Sequence, residues 1–177
     1  MSSQRFMVPE ILATHFHLRP GDHVGDFGAG VGSFEPILSR LVGSAGRVYA
    51  VEIQKSLVEA LVAKSGRLGN VEAIWGDLEA LNGTKIKDGA LDAAVMINCL
   101  FQVEDRPMAI REMMRALRSG GKLFIVDWSE SWGGMGPQTG LVLTEADARD
   151  LVESEGLVFE RSFDAGEHHY GLAFRKA

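Results

Sequence analysis

Cysteine is all but missing from this chain: Cys99 is the single instance in 177 residues. One thiol excludes an internal disulfide and a cysteine-rich metal site. Long apolar runs are missing too. None approaches the roughly 20 residues that cross a bilayer, and the N-terminus lacks the basic segment and apolar core of a signal peptide. The expectation is a cytoplasmic protein with no membrane role. Basic charge is in deficit, with 18 Lys and Arg against 24 Asp and Glu and a net charge of −6. That balance disfavours a nucleic-acid substrate, which calls for a basic face. The five histidines lack helix-face ligand spacing. His15 and His17 are two apart and His168 and His169 are adjacent, so no metal is expected. No internal repeat or low-complexity tract interrupts the chain. Its length suits one domain with a sizeable core, spanning 1–177.

What the chain does have is glycine at alternate positions. His23 to Phe34 reads as a short buried strand, then Asp26, then Gly28, Gly30 and Gly32, then the start of a helix. Glycine admits positive φ and close approach of a ligand to the backbone. A strand feeding a helix through such a bend presents free N–H groups at one point. The dinucleotide spacing G-x-G-x-x-G fails in both registers, because its third position falls on Ser33 or Glu35. A phosphate-binding P-loop is excluded because no Gly-Lys-Ser/Thr follows. Asp26 ahead of the glycines would repel a pyrophosphate and suits a ligand with a positive end.

Two further strands end in acids. Arg47 to Ile53 is β-rich and carries Glu52 about twenty residues beyond the glycines, where an acid grips ribose hydroxyls. Val71 to Trp75 runs into Gly76-Asp77-Leu78. Three acids at the carboxyl ends of neighbouring strands gather around one crevice.

Between the strands the apolar periodicity is helical. A short leading helix is predicted over Val8 to Phe16, behind a loose tail over 1–5. Others are predicted from Ser33 to Val42, Gln54 to Leu68 and Pro107 to Leu117, and from Thr144 to Gly156 with Thr144 as the cap. The helix ending at Leu117 places Arg111 and Arg115 on its outer face, with Arg118 continuing the line as a solvated arginine stripe. Lys122 to Trp128 is a near-continuous apolar strand suited to a sheet centre. Leu157 to Phe163 and His169 to Arg175 form an antiparallel hairpin. Alternating strands and helices imply an α/β fold: a doubly wound, mostly parallel sheet with helices on both faces, three layers in all.

Five blocks in order carry a family resemblance. They are Val24 to Phe34, Glu52, Asp77 with Leu78, Leu91 to Asn98, and Ala116 to Leu123. On them the chain resembles a class I S-adenosylmethionine-dependent methyltransferase from about His17 to its C-terminus. The resemblance implies seven strands, the last inserted antiparallel, and S-adenosyl-L-methionine as cofactor. It assigns cofactor binding to Asp26, Phe27, Gly28, Ala29, Gly30, Gly32 and Phe34 of the glycine bend. Glu52 and Ile53 would serve the ribose, Gly76, Asp77 and Leu78 the adenine, and Asn98 and Cys99 the region of the methyl group.

No side chain is singled out as catalytic. Asp127, Glu130, His168 and His169 stand at the expected face as candidate bases, and Cys99 has no base beside it. The loop from Ser129 to Gly140 carries Trp132 and Met135 and is read with equal weight as a lid or a plain crossover. The His-His pair of quinone and sterol methylators is replaced by Cys99-Leu100-Phe101-Gln102. The N/D-P-P-Y/F signature of base methylators is missing, as are the several cysteines of arsenite methylation. The acceptor is therefore expected to be a small molecule, held between the leading helix, the loop after strand five and the hairpin. The alternatives are an RNA or protein methyltransferase acting with a partner, a nicotinamide-dependent oxidoreductase, and a non-catalytic cofactor binder.

Overall fold

The computed structural model describes residues 7–177, so the tail expected over 1–5 lies outside the described residues. Strands β1 (His23–Phe27), β2 (Arg47–Glu52), β3 (Val71–Trp75), β4 (Leu91–Ile97) and β5 (Leu117–Trp128) run parallel. They are followed by β6 (Val158–Phe163) and β7 (His169–Arg175), which pair antiparallel. The sheet order is β3-β2-β1-β4-β5-β7-β6, so the last strand inserts antiparallel beside β5. The chain winds one way from β1 to β3 and the other way from β4 onward. The order therefore reverses between β1 and β4, and a crevice opens beyond their carboxyl ends.

Among the described residues, five helices cover the faces: α1 (Pro9–Leu12), α2 (Glu35–Val42), α3 (Lys55–Ser65), α4 (Arg106–Ala116) and α5 (Glu145–Ser154). The leading helix is one α-turn continued by a 3-10 turn over Ala13–Phe16. Pro36 stands in the first turn of α2, where its missing N–H costs nothing, and Gly43 ends the helix at positive φ. Asp105 caps α4 by accepting from Met108 N at 3.0 Å. Thr144 caps α5 by accepting from Asp147 N at 3.1 Å.

The core lies in two layers. One packs Met96, Leu123, Leu172 and Phe174 beneath Ile110, Met113 and Val152. The other packs Val24, Val95, Phe124 and Val126 against Phe16, Ile37 and Leu38. The two ends of the chain meet on this second side. Arg161 Nη2 donates to His15 O at 2.6 Å, and the His15 ring stacks on Phe163 at 4.9 Å. Phe16 packs on Phe124 at the same separation.

Three local expectations need correction. Helix α3 stops at Ser65, not Leu68, because Gly66 is its cap and the chain turns at once. Strand β5 starts at Leu117, which pairs with Leu91 before a bulge; pairing resumes at Ala93 and Lys122. The arginine stripe is solvated at Arg111 and Arg118, which are exposed and pair with Glu155 at 2.9 Å and Asp92 at 2.7 Å, but Arg115 turns inward onto Glu112.

Candidate functional site

A cavity of about 490 Å³ opens at the carboxyl ends of β1, β2 and β4. Its floor is the glycine bend. Gly28 N and Ala29 N both donate to Val51 O, at 2.9 and 3.0 Å, which pins the bend to β2. Gly28, Gly30 and Gly32 all have positive φ, yet they serve different needs. A Cβ on Gly28 would lie 2.4 Å from Cys99 Sγ, and one on Gly32 would lie 2.7 Å from Leu61. Those two satisfy the protein's own packing. A Cβ on Gly30 would meet nothing within 4 Å. Its open side lies on the cavity, where a ligand can approach the backbone.

Glu52 forms one wall. It is 7 % exposed and held from three sides. Gly30 N donates to Oε2 at 3.0 Å, and Ile53 N and Gln54 N both donate to Oε1 at 2.9 Å. A carboxylate accepts about four hydrogen bonds, so Oε2 keeps capacity for a hydroxyl in the cavity. Asp77 lines the same space, fixed through Glu79 N at 2.8 Å, and Leu78 lies beside it.

Asn98 and Cys99 close the β4 side. Asn98 is a non-glycine residue at φ 52°, and its Oδ1 is buried without a hydrogen-bond partner. A strained backbone and an unmet acceptor together suit a ligand that donates there. Burial pushes the Cys99 thiol up to about 12. Iodoacetamide at pH 8 is therefore expected to leave Cys99 unmodified in the native protein and to alkylate it after denaturation, read by intact mass. Rapid native labelling would contradict this.

Asp26 lies at the bottom of the cavity and is almost fully buried. Burial first, then the neighbouring Glu35 and Glu52 charges, push its carboxyl well above the usual range. Glu35, in the first turn of α2, is wholly buried and is likewise pushed up by burial.

Of the residues singled out from sequence, Asp26, Gly28, Ala29, Gly30, Phe34, Glu52, Ile53, Asp77, Leu78, Asn98 and Cys99 line this cavity. Phe27, Gly32 and Gly76 do not. Phe27 faces the opposite core layer, as strand alternation requires. Gly76 backs onto Gly83 O, which a Cβ would approach to 2.9 Å. Sequence reading missed Met7, Leu57, Ile97, Gln102 and Val103 in the lining. Ile97 and Val103 flank the recognised Asn98-Cys99 pair, so proximity in the chain was the available signal.

None of the four candidate bases lines the cavity. Asp127 is buried and accepts from Phe101 N at 3.0 Å and Trp128 N at 2.8 Å, which organises the turn after β4. Burial raises it to about 6. His168 Nδ1 meets Glu130 Oε1 at 2.7 Å and its ring stacks on Trp132. His169 Nδ1 donates to Glu167 O at 2.8 Å and its ring lies 4.3 Å from Trp128. The loop from Ser129 to Gly140 packs on this hairpin, with the Gly136 backbone against Trp128, and does not line the cavity. A smaller space of about 80 Å³ separates α1 from the hairpin turn, between Ile11, His15 and Asp164 to Gly166. Among the described residues, no group of three His, Cys, Asp or Glu is placed to hold a metal. No helix there is long and apolar enough to cross a membrane.

Known proteins share this fold. A methyltransferase domain profile matches residues 25–125. The ubiquinone/menaquinone biosynthesis C-methyltransferase of Vibrio cholerae is 32 % identical over 115 residues, 63 % of this chain and 43 % of that protein. The chain thus aligns with under half the length of that relative. An S-adenosylmethionine-dependent methyltransferase from Aquifex aeolicus superposes with a TM-score of 0.88 at 26 % identity, covering 97 % of this chain and 90 % of that one. The geranyl diphosphate C-methyltransferase of Streptomyces coelicolor, solved with S-adenosyl-L-homocysteine, superposes at 0.77 with 14 % identity. It covers 96 % of this chain and 79 % of its own and speaks to the fold alone.

Proposed function

This chain belongs to the methyltransferase domain family, and from that premise we propose that it binds S-adenosyl-L-methionine in the β1–β2–β4 cavity and transfers its methyl group to a small-molecule acceptor. The observation that carries the reading is the conjunction of an open Gly30 backbone, a fixed Glu52 carboxylate and an unmet Asn98 Oδ1 around one space.

The residues present fit the cofactor. Glu52 Oε2 accepts from a ribose hydroxyl, while Leu57, Leu78 and Val103 give an adenine ring apolar contact beside Asp77. Asp26 and Asn98 Oδ1 face the cationic part, where acceptors and negative charge favour binding. When bound, the cofactor supplies a methyl carbon already made electrophilic by a sulfonium. The chain's task is then alignment and exclusion of water. The apolar residues of the lining and the glycine bend, half-buried and pinned to β2, serve both. Acidic contacts also have a limit, because holding the cation too firmly would slow conversion to the neutral thioether. The relatives' names include a quinone-pathway C-methylation, but the run Cys99-Leu100-Phe101-Gln102 lacks a side chain that assigns such an acceptor here.

Calorimetry with S-adenosylmethionine, S-adenosylhomocysteine and NAD tests the cofactor, and a labelled-methyl screen of metabolite extract tests the acceptor class. The expected result is binding of the first two ligands only and label in small molecules. NAD binding without a response to the sulfonium ligand, or label confined to macromolecules, would overturn the reading. Glu52→Ala is expected to weaken cofactor binding by about 1–3 kcal/mol through loss of charge-assisted hydrogen bonds. Unchanged affinity in a folded variant would remove Glu52 from the site.

A further inference from the structure

Beneath the cavity two acids share a space that offers them almost no donors. Glu35 is completely buried, and neither of its carboxyl oxygens has a hydrogen-bond partner in good geometry. The backbone N–H groups of Phe34 and of Glu35 itself favour its charged form, but burial outweighs them. Its neighbour is the carboxyl of Asp26, which lines the cavity. Two ionised carboxylates cannot bond each other. One proton held between them supplies the missing donor and halves the buried charge.

We propose that Glu35 is a positioning residue that keeps one proton on the Asp26–Glu35 pair in the empty site, and that the ammonium end of the cofactor displaces this proton when it binds at Asp26. The inference rests on the cofactor reading above.

The surroundings support a single shared proton. Glu52 faces Asp26 from β2 and adds negative charge. Cys99 on the β4 side is an uncharged thiol. Lys64 reaches in from α3, but its ammonium donates to the carbonyls of Val31 and Gly32, which ties it to the bend. The Lys64 charge still reaches Glu35, but burial outweighs it; among the described residues neither acid forms an ion pair, so loss of the proton awaits a cation at Asp26. The incoming ammonium provides it. The carboxyl O–H bond breaks, the proton leaves to solvent, and the resulting carboxylate meets the cation. Without Glu35 the pair has no second carboxyl to hold the proton, and the exchange is lost.

Calorimetry of the wild-type chain in buffers of different ionisation enthalpy measures protons released per ligand bound. Near neutral pH about one proton is expected to leave with S-adenosylmethionine and with S-adenosylhomocysteine, since both carry the ammonium. The dissociation constant then falls by about tenfold per pH unit below the pair's titration and levels off through it. Glu35→Gln gives Asp26 a permanent N–H donor. It is expected to bind with no proton release, to flatten the pH dependence, and to bind more tightly than wild type at pH 6. Binding by wild type without proton release overturns this proposal and leaves the cofactor reading standing. Release with S-adenosylmethionine alone moves the contact to the sulfonium and overturns the ammonium assignment. No binding of either ligand overturns the cofactor reading and this proposal with it. The wild-type measurement decides even if Glu35→Gln fails to fold.

Discussion

Glu112→Ala is expected to lower the free energy of unfolding by about 3–5 kcal/mol, the cost of leaving a buried charge without its partner. Glu112 is fully buried on α4. Its Oε1 accepts from Thr84 Oγ1 at 2.6 Å, Thr84 N at 3.2 Å and Arg115 Nη2 at 2.7 Å. Its Oε2 accepts from Asn82 N and Arg115 Nε, both at 2.9 Å. Truncation strands five donors. Arg115 keeps the exposed Asp88, the Ile86 carbonyl and a long bond to Thr84 Oγ1 at 3.4 Å. Denaturant titration of the purified variant measures the loss, and a change under 1 kcal/mol would show that the network relaxes freely. The effect reaches the cavity. Residues 80–84 form the turn behind Asp77, whose N–H donates to Gly83 O at 3.0 Å, so cofactor affinity is expected to fall with stability.

The same carboxyl gives a signed pH response. Burial alone would push Glu112 up, but hydrogen bonds from Arg115 and Thr84 outweigh it and hold it below the usual range. A group depressed in the folded state contributes stability above its unfolded value, near 4.5. That contribution fades as pH falls through the folded value. Glu112→Gln, which keeps the shape and loses the charge, should blunt this acid sensitivity.

Gly28→Ala is expected to be the most damaging single-carbon change in the candidate site. Its φ of 83° costs an L-residue about 1–2 kcal/mol. The added Cβ would also lie 2.4 Å from Cys99 Sγ and 3.0 Å from Cys99 Cβ, an overlap worth about 1–3 kcal/mol more. Relief by movement of the bend would loosen the Gly28 and Ala29 bonds to Val51 O, so cofactor affinity should fall by about tenfold or more. Gly30→Ala is the contrast. With nothing within 4 Å of its Cβ, it should cost the fold only the strain of its φ of 58°, about 1–2 kcal/mol, and the ligand much. Melting temperature and cofactor affinity, measured for both variants, separate the roles. Equal stability losses would mean that Gly30 is also a packing glycine. Cys99→Ala in the Gly28→Ala background should restore part of the lost stability, because the sulfur contact disappears while the Cβ contact stays.

The strand plan was legible because each apolar run is punctuated where a parallel sheet needs it. Val24, Val48 and Leu91 open strands that end in glycine, acid or asparagine, and the helical spacing between them forces parallel crossovers. The acids at three strand ends followed from the same reading. Glu35 did not. In sequence it is an ordinary acid in the first turn of a helix, and only the fold sets it against Asp26, nine residues earlier near the carboxyl end of β1. Arg115 misled for a related reason. Periodicity placed it outside with Arg111, but Glu112 beside it is buried and draws the guanidinium in. The loop after β5 has the composition of a lid, with glycines that leave its path undetermined. Stacking of Trp132 on His168 and of Gly136 on Trp128 fixes it against the hairpin, a tertiary choice that local pattern does not encode.

The junction of His15, Phe16, Arg161 and Phe163 limits how far this molecule can be pared down. Cutting back to residues 25–125, the stretch matched by the family, would remove both partners of that junction at once. Phe124 would lose its aromatic cover, and β5 would become a bare margin ready to pair with another chain. The smallest cooperative unit therefore includes both flanks, and a fusion or permutation that separates them is expected to aggregate before it loses any chemistry.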